Sequence, residues 1–186
     1  TAYGVASSPG IISAIFTNKM LVWGIFFAEL GIVWYVSARI MRLSLMSATL
    51  LFVLYSVLNG LMLSFIFIVY TMTSIASVFF ITAGTFAVMS LIGYFTKADL
   101  SSLGRILMMA LIGLIIATLV NVFLLKDTGL GLILSYVGVL IFVGLTAYDT
   151  QKIKQMLMQA DDVSEEAQKI ALLGSLSLYL DFINLF

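Results

Sequence analysis

From Leu43 to Thr96 the chain runs 54 residues, between Arg42 and Lys97, without one formally charged side chain. As a single helix this stretch would extend about 80 Å at roughly 1.5 Å per residue. A bilayer core is only about 30 Å thick, so the stretch must cross twice. The break is expected at Tyr70-Thr71-Met72-Thr73-Ser74, where polar residues gather and an aromatic can sit at the interface. Composition agrees: 62% of the 186 residues are hydrophobic and 10% charged, against about half and about a quarter in a soluble domain.

Further uncharged runs, Ile106–Leu125 and Thr128–Tyr148, are each about as long as a spanning helix needs. Met20–Ala38 is interrupted only by Glu29, and a last run begins near Ile170. We therefore expect an all-α, polytopic membrane helix bundle, a single transmembrane domain over 1–186, with helices at 20–38, 44–70, 75–95, 104–125, 130–154 and 165–186. A membrane barrel would instead show alternating strands of about ten residues. The small-residue pairs Gly60/Ser64, Ala83/Ala87 and Gly113/Ala117 are spaced to let helix backbones approach.

Orientation comes from the basic residues. Arg39, Arg42, Lys97, Arg105, Lys152, Lys154 and Lys169 lie on one side of the expected bundle, Lys19 and Lys126 on the other. The positive-inside rule makes the first side cytoplasmic, with connections at 39–43, 96–104 and 155–168. Residue 1 then falls outside. The apolar, small-residue texture of Thr1–Pro9 and the abrupt stop at Phe186 lead us to expect a first helix, and the end of the last, beyond the given chain. The longest connection carries Asp161, Asp162, Glu165 and Glu166; Asp162 and Glu165 have capping-box spacing, which reads as the start of the last helix. Asp99-Leu-Ser-Ser reads as another helix start.

The chain contains neither His nor Cys. That removes imidazole and thiolate metal sites, Ser-His triads, Cys nucleophiles, iron–sulfur clusters and disulfides. Net charge is zero, so no basic surface exists to hold nucleic acid. No resident cofactor is expected. Proton chemistry near neutral pH falls to carboxylates or lysines, because histidine is the only unperturbed side chain suited to it.

Three acids lie in or near expected spans: Glu29, Asp149 and Asp181. An ionised acid at bilayer depth costs at least about 2.5–3.5 kcal/mol, so each should face protein or water and find a partner. Asp181 is the sharpest case, with Asn184 three residues on as a supporting polar group on its face. Asp149, in Tyr148-Asp149-Thr150-Gln151-Lys152, is open to a plainer reading as an interfacial acid neutralised by Lys152. It would meet the negative end of its own helix unless that helix continued past Lys154. Glu29 reads equally as an interhelical bond or as part of an ion route. Arg39 and Arg42 read as interfacial anchors, although either stem can reach inward. Asn59 and Asn121 read as interhelical glue.

If Asp149 and Asp181 converge, they titrate as a coupled unit. Singly protonated, they share a hydrogen bond and clamp two helices. Doubly ionised, they repel unless a cation enters. Ca²⁺ prefers oxygen ligands but needs six to eight, so carbonyls and water would complete a weak site, which suits conduction.

These residues also carry a resemblance. Ala147-Tyr148-Asp149-Thr150-Gln151 and Leu178-Tyr179-Leu180-Asp181-Phe182-Ile183-Asn184-Leu185-Phe186 resemble the signature segments of the Bax inhibitor-1 family, most closely its bacterial inner-membrane members. Phe16-Thr-Asn-Lys19, Phe65–Thr71 and Val143–Lys152 are similar too, so the likeness covers essentially the whole chain. It implies a seven-helix bundle with the last helix central, a pH-dependent Ca²⁺ leak, and a proton-sensitive latch, here Asp149 and Asp181. It further implies an arginine bonded to the latch, Arg39 or Arg42, with Arg39 preferred in Ser-Ala-Arg-Ile. Glu29 would lie by the ion route.

Three functions follow as expectations. The first is a non-enzymatic cation leak whose partners are Ca²⁺, protons and the lipid bilayer, with Asp149 and Asp181 as gate, pH sensor and weak calcium ligands. The second is a regulator acting through helix contacts with a membrane protease or survival factor. The third, an intramembrane aspartyl protease, lacks its Gly-x-Gly-Asp pattern, since Asp149 follows Thr-Ala-Tyr.

Overall fold

A computed structural model describes residues 2–160 and 164–186. Its regular elements, among the described residues, are helical: α1 Ala2–Ala6, α2 Pro9–Phe16, α3 Lys19–Arg39, α4 Leu45–Leu63, α5 Ile66–Val69, α6 Met72–Phe95, α7 Ser101–Val120, α8 Thr128–Gln159 and α9 Glu165–Leu185. A 3-10 turn, Ile40–Arg42, follows α3, and a π-turn, Asn121–Leu125, follows α7.

Among the described residues, five segments are long and apolar enough to cross a bilayer: Lys19–Arg42, Leu45–Val69, Met72–Phe95, Ser101–Leu125 and Thr128–Gln159. The count of six expected within this chain is therefore not matched. The sixth expected helix forms as the 21-residue α9, but Lys169, Asp181 and Asn184 with Ser175 and Ser177 dilute its apolar content. Large hydrophobic side chains face outward along the others, Trp34 at 74% exposure and Phe80 at 73%. In water such a surface would drive association; against lipid it is the ordinary outer face.

Boundaries follow local chemistry. Asn18 caps α3 by accepting from the Met20 and Leu21 amides at 3.0 and 3.4 Å. Ser44 caps α4 through the Ser47 amide at 3.2 Å. Tyr70 is extended, and Thr71 accepts from the Ser74 amide at 3.2 Å, so the expected break falls in place. The chain from α8 to α9 departs from expectation. With no Gly or Pro after Lys154 to stop it, α8 runs on to Gln159, and the connection shrinks from 155–168 to 160–164. Asp149 is thereby well inside its helix, away from the negative end. Asp161 and Asp162, with the expected Asp162–Glu165 cap, lie outside the described residues; Ser164 instead caps α9, accepting from the Ala167 amide at 3.0 Å. Glu165 pairs with Lys169 at 2.9 Å.

The chain divides into two compact units. The first holds residues up to Val78 together with Val163–Leu173. In it α3 packs along α4, and α1 meets α2, α4 and α5. Val36, Ile40, Ala48, Tyr55, Asn59 and Ser64 are buried there. The second holds Phe79–Asp162 and Gly174–Phe186, and in it α7 packs along α8.

The α7–α8 turn is held by Asn121, which is buried. Its amide nitrogen donates to the Asp127 carbonyl and its oxygen accepts from the Asp127 amide, both at 3.0 Å. Asp127 in turn caps α8 through the Leu130 amide at 2.9 Å. Asn121 is thus a turn staple rather than interhelical glue. Lys126 is forced left-handed, at φ 54°, where a Cβ is disfavoured. Lys126→Gly is expected to raise stability by up to about 1 kcal/mol, read as the unfolding midpoint in detergent; a fall would show that the lysine side chain contributes more than its backbone costs.

Candidate functional site

The second unit is organised around the half of α8 that carries Asp149. Ile141, Leu145, Thr146, Ala147 and Gln151 are all buried there. Three glycines let other helices close on it. A Cβ on Gly93 of α6 would fall on the Ala147 carbonyl; one on Gly104 of α7 would meet the Tyr148 ring at 2.5 Å; one on Gly174 of α9 would meet Ile153 at 2.9 Å. On the opposing side Gly144 admits Leu107 and Gly138 admits Leu114. These contacts give α7 and α8 a continuous antiparallel register. Gly113, by contrast, has open space around it, so the expected Gly113/Ala117 pair is not a close approach at its glycine.

The Gly174–Ile153 contact, together with the electrostatic reach of Asp149 to Asp181, sets α9 antiparallel to α8. In that register Asp181 falls about level with Thr146, one turn from Asp149, or about 5 Å at roughly 1.5 Å per residue. Asp181 is only 4% exposed, and Gly174, Asp181 and Leu185 form one buried stripe of α9. The helix therefore turns its acid toward protein rather than lipid. The Asp149 and Asp181 carboxylates are within electrostatic reach of each other. Oδ2 of Asp181 is nonetheless buried with no hydrogen-bond partner, so no hydrogen bond links the pair through that oxygen. Such a group calls for a specific explanation, because most buried polar atoms are satisfied.

Aromatic rings close one side. Phe182 meets Phe79 and Phe86 of α6 at centroid distances of 5.7 and 5.5 Å, and Phe186 meets Phe79 at 6.3 Å. Phe79, Thr82, Phe86, Ser90 and Gly93 share one face of α6 by their three- and four-residue spacing. Along it Ser90 Oγ is also buried without a partner.

Asn184 does not support Asp181 as expected. It is exposed, and its amide donates to the Leu180 carbonyl of its own helix at 2.7 Å. Lys152 is exposed with its Nζ 5.8 Å from the Tyr148 ring centroid, although its charge still acts on Asp149. Among the described residues no three acidic side chains gather to hold a metal ion. A cation at Asp149 and Asp181 would have to take its other ligands from carbonyls and water.

Glu29, Arg39 and Arg42 belong to the first unit. Glu29 is half-buried, with Oε1 buried and unpartnered. Arg39 and Arg42 are both exposed, at the end of α3 and in the turn that follows.

Two residues carry more than their sequence context announced. Gln151 is buried, and its Nε2 donates to the Ala98 carbonyl at 2.8 Å while its Oε1 accepts from the Leu100 amide at 2.9 Å. Lys154 donates to the Tyr94 carbonyl at 2.8 Å and stands 4.5 Å from that ring's centroid. An amide two residues after a buried acid was the available signal, but its partners lie about fifty residues away. Beside them, Asp99 accepts from the Ser101 amide at 2.9 Å. The Ser101 hydroxyl and amide hold its carboxyl below the usual carboxylate range. Whatever this contributes is present above the ordinary carboxylate value and is lost as pH falls through the lowered one.

The profile of the family described as "Inhibitor of apoptosis-promoting Bax1" matches residues 1–186. The chain is 53% identical over 187 residues to the inner membrane protein YbhL of Escherichia coli, all of the chain against 79% of that protein. It is 45% identical over 185 residues to an uncharacterized protein of Borreliella burgdorferi, again the whole chain against 79%. An uncharacterized membrane protein of Streptococcus pyogenes is 38% identical over 176 residues, 95% of the chain against 75%. The five bilayer-length segments among the described residues agree with the membrane location of the Escherichia coli and Streptococcus pyogenes relatives. With its signature segments forming the paired helices around Asp149 and Asp181, the chain is a multi-pass membrane protein of the Bax inhibitor-1 family.

Proposed function

We propose that the protein is a pH-sensitive, non-enzymatic leak for Ca²⁺, gated by the protonation of Asp149 and Asp181. The observation that supports this most is the buried, unpartnered oxygen of Asp181 within electrostatic reach of Asp149 on a neighbouring antiparallel helix. A shared proton cancels the repulsion and lets the two helices stay closed. The repulsion released when the proton leaves is on the scale of about 3 kcal/mol, the value for two unit charges at about 6 Å and an effective dielectric of about 20. That energy shifts a two-state equilibrium by about a hundredfold, enough to move a gate. Ca²⁺ is the cargo: passing between the carboxylates, it would be held weakly, as an ion that must also leave should be.

The roles of Arg39 or Arg42 as latch partner, and of Glu29 along the route, rest on the family resemblance. So does a central last helix. The excess of basic residues supports a cytoplasmic placement for the connections at 40–44, 96–100 and 160–164.

Purified protein in liposomes loaded with a Ca²⁺ indicator tests the proposal. The wild-type leak is expected to change by about tenfold or more across the titration of the pair, and Asp181→Asn or Asp149→Asn to flatten the profile. An unaltered pH profile in both variants would sink the gate. Absence of flux from well-folded protein that co-purifies with a stoichiometric membrane protease would favour the regulator instead.

A further inference from the structure

The turn of α8 that follows Asp149 grips the chain between α6 and α7. Gln151 supplies both halves of its amide to that connection, satisfying the Ala98 carbonyl and the Leu100 amide. One turn on, Lys154 takes the Tyr94 carbonyl, one of the otherwise unpaired acceptors at the end of α6. Three backbone groups spread over Tyr94–Leu100 are therefore held by two side chains of one α8 turn. The connection has little else to fix it: Lys97, Ala98 and Asp99 are exposed. Its other side-chain bonds are local, Thr96 to the Ala98 amide at 3.3 Å and Asp99 to the Ser101 amide at 2.9 Å.

Burial makes the Gln151 bonds consequential. If α8 shifted and the connection stayed, a buried primary amide and two backbone groups would lose their partners together, and unmade buried bonds are costly. Carrying the connection along with α8 avoids that loss. Gly93 and Gly104 bracket the same connection and seat α6 and α7 on Ala147 and Tyr148, so the grip and the acid occupy one short length of helix.

We propose that Gln151 is a positioning residue that ties the 96–100 connection to the Asp149 segment, so that the connection moves with α8 whenever the Asp149–Asp181 pair separates. The movement, though not the grip, rests on the gate reading above. The charged groups around the grip are Lys97, Asp99 and Arg105 on the connection and the start of α7, with Lys152 and Lys154 on α8. The neutral amide needs none of them. An acid at 151 would behave differently: as a carboxylic acid it can donate to Ala98 and accept from Leu100, but as a carboxylate it can only accept.

The chain has no cysteine, so a single reporter thiol is clean. Ala98→Cys places it on an exposed side chain whose own backbone carbonyl still takes the Gln151 bond. A nitroxide attached to that thiol reports the motion of the connection, and its spectrum and the Ca²⁺ leak would be followed together on the full chain in liposomes. With Gln151 present, the label is expected to be restrained and its mobility to follow the pH profile of the leak. Gln151→Leu should raise the mobile fraction about tenfold or more, as expected for loss of two hydrogen bonds, and detach it from the leak profile. Gln151→Glu should be restrained when the acid is protonated and mobile when it is ionised, which a merely destabilised protein would not do. Equal spectra in all three proteins would overturn the grip. A mobility that still follows the leak profile in Gln151→Leu would overturn the positioning role. Spectral differences without flux in any protein would support the grip and sink the leak reading alone.

Discussion

Gly93→Ala is expected to destabilise the protein by about 2–3 kcal/mol, within the range for overpacking a tight contact. The added Cβ lands on the Ala147 carbonyl, which is backbone and cannot swing aside as a side chain would. The helices α6 and α8 must separate, weakening the site on either side of Asp149. Alanine's better helix propensity returns at most about 1 kcal/mol, too little to offset the clash. Gly113→Ala is the matched control, because its Cβ meets nothing within 4 Å; it should be neutral or slightly stabilising. Gly104→Ala should fall between them, since the Tyr148 ring can turn. Unfolding midpoints in one detergent read all three, and equal values for Gly93→Ala and Gly113→Ala would refute the close approach.

Asn121→Ala should cost about 2–4 kcal/mol. Two hydrogen bonds disappear, and the Asp127 amide and carbonyl lose their partners, each at about 1–3 kcal/mol if still buried. The damage should spread, because Asp127 also caps α8. Asn121→Asp separates the two bonds: the carboxylate keeps the acceptor for the Asp127 amide but faces its carbonyl with no donor. Amide exchange at Leu130 should quicken in both variants. A protected Leu130 amide in Asn121→Ala would show that the cap forms independently of the staple.

Elements were legible where charge and turn chemistry mark them. The uncharged run bounded by Arg42 and Lys97, with its polar knot at residues 70–74, yielded two crossings near their true positions. Ends were harder where nothing in the chain forces a stop: α8 outruns Lys154 because Gln155–Gln159 contains no breaker, and α7 begins at Ser101, ahead of the expected 104. Asp149 and Asp181 stood out because acids are rare at bilayer depth. Their surroundings were less visible. Asn184 has the spacing to join Asp181, yet it satisfies itself on its own helix. Gln151 and Gly93 derive their meaning from Ala98 and Ala147, residues far away in sequence, which spacing within one helix cannot reveal.

The polar dilution of α9 has a consequence for biosynthesis. A segment carrying Lys169, Asp181 and Asn184 partitions poorly into lipid by itself, since an acid near the centre of a span opposes insertion. Its neighbour α8, long and apolar, has no such difficulty, and five residues join the two. The order of membrane entry is thereby set: α8 goes first and offers a protein surface on which α9 can hide its acid. Asp149 and Asp181 would then be brought together during insertion rather than after it.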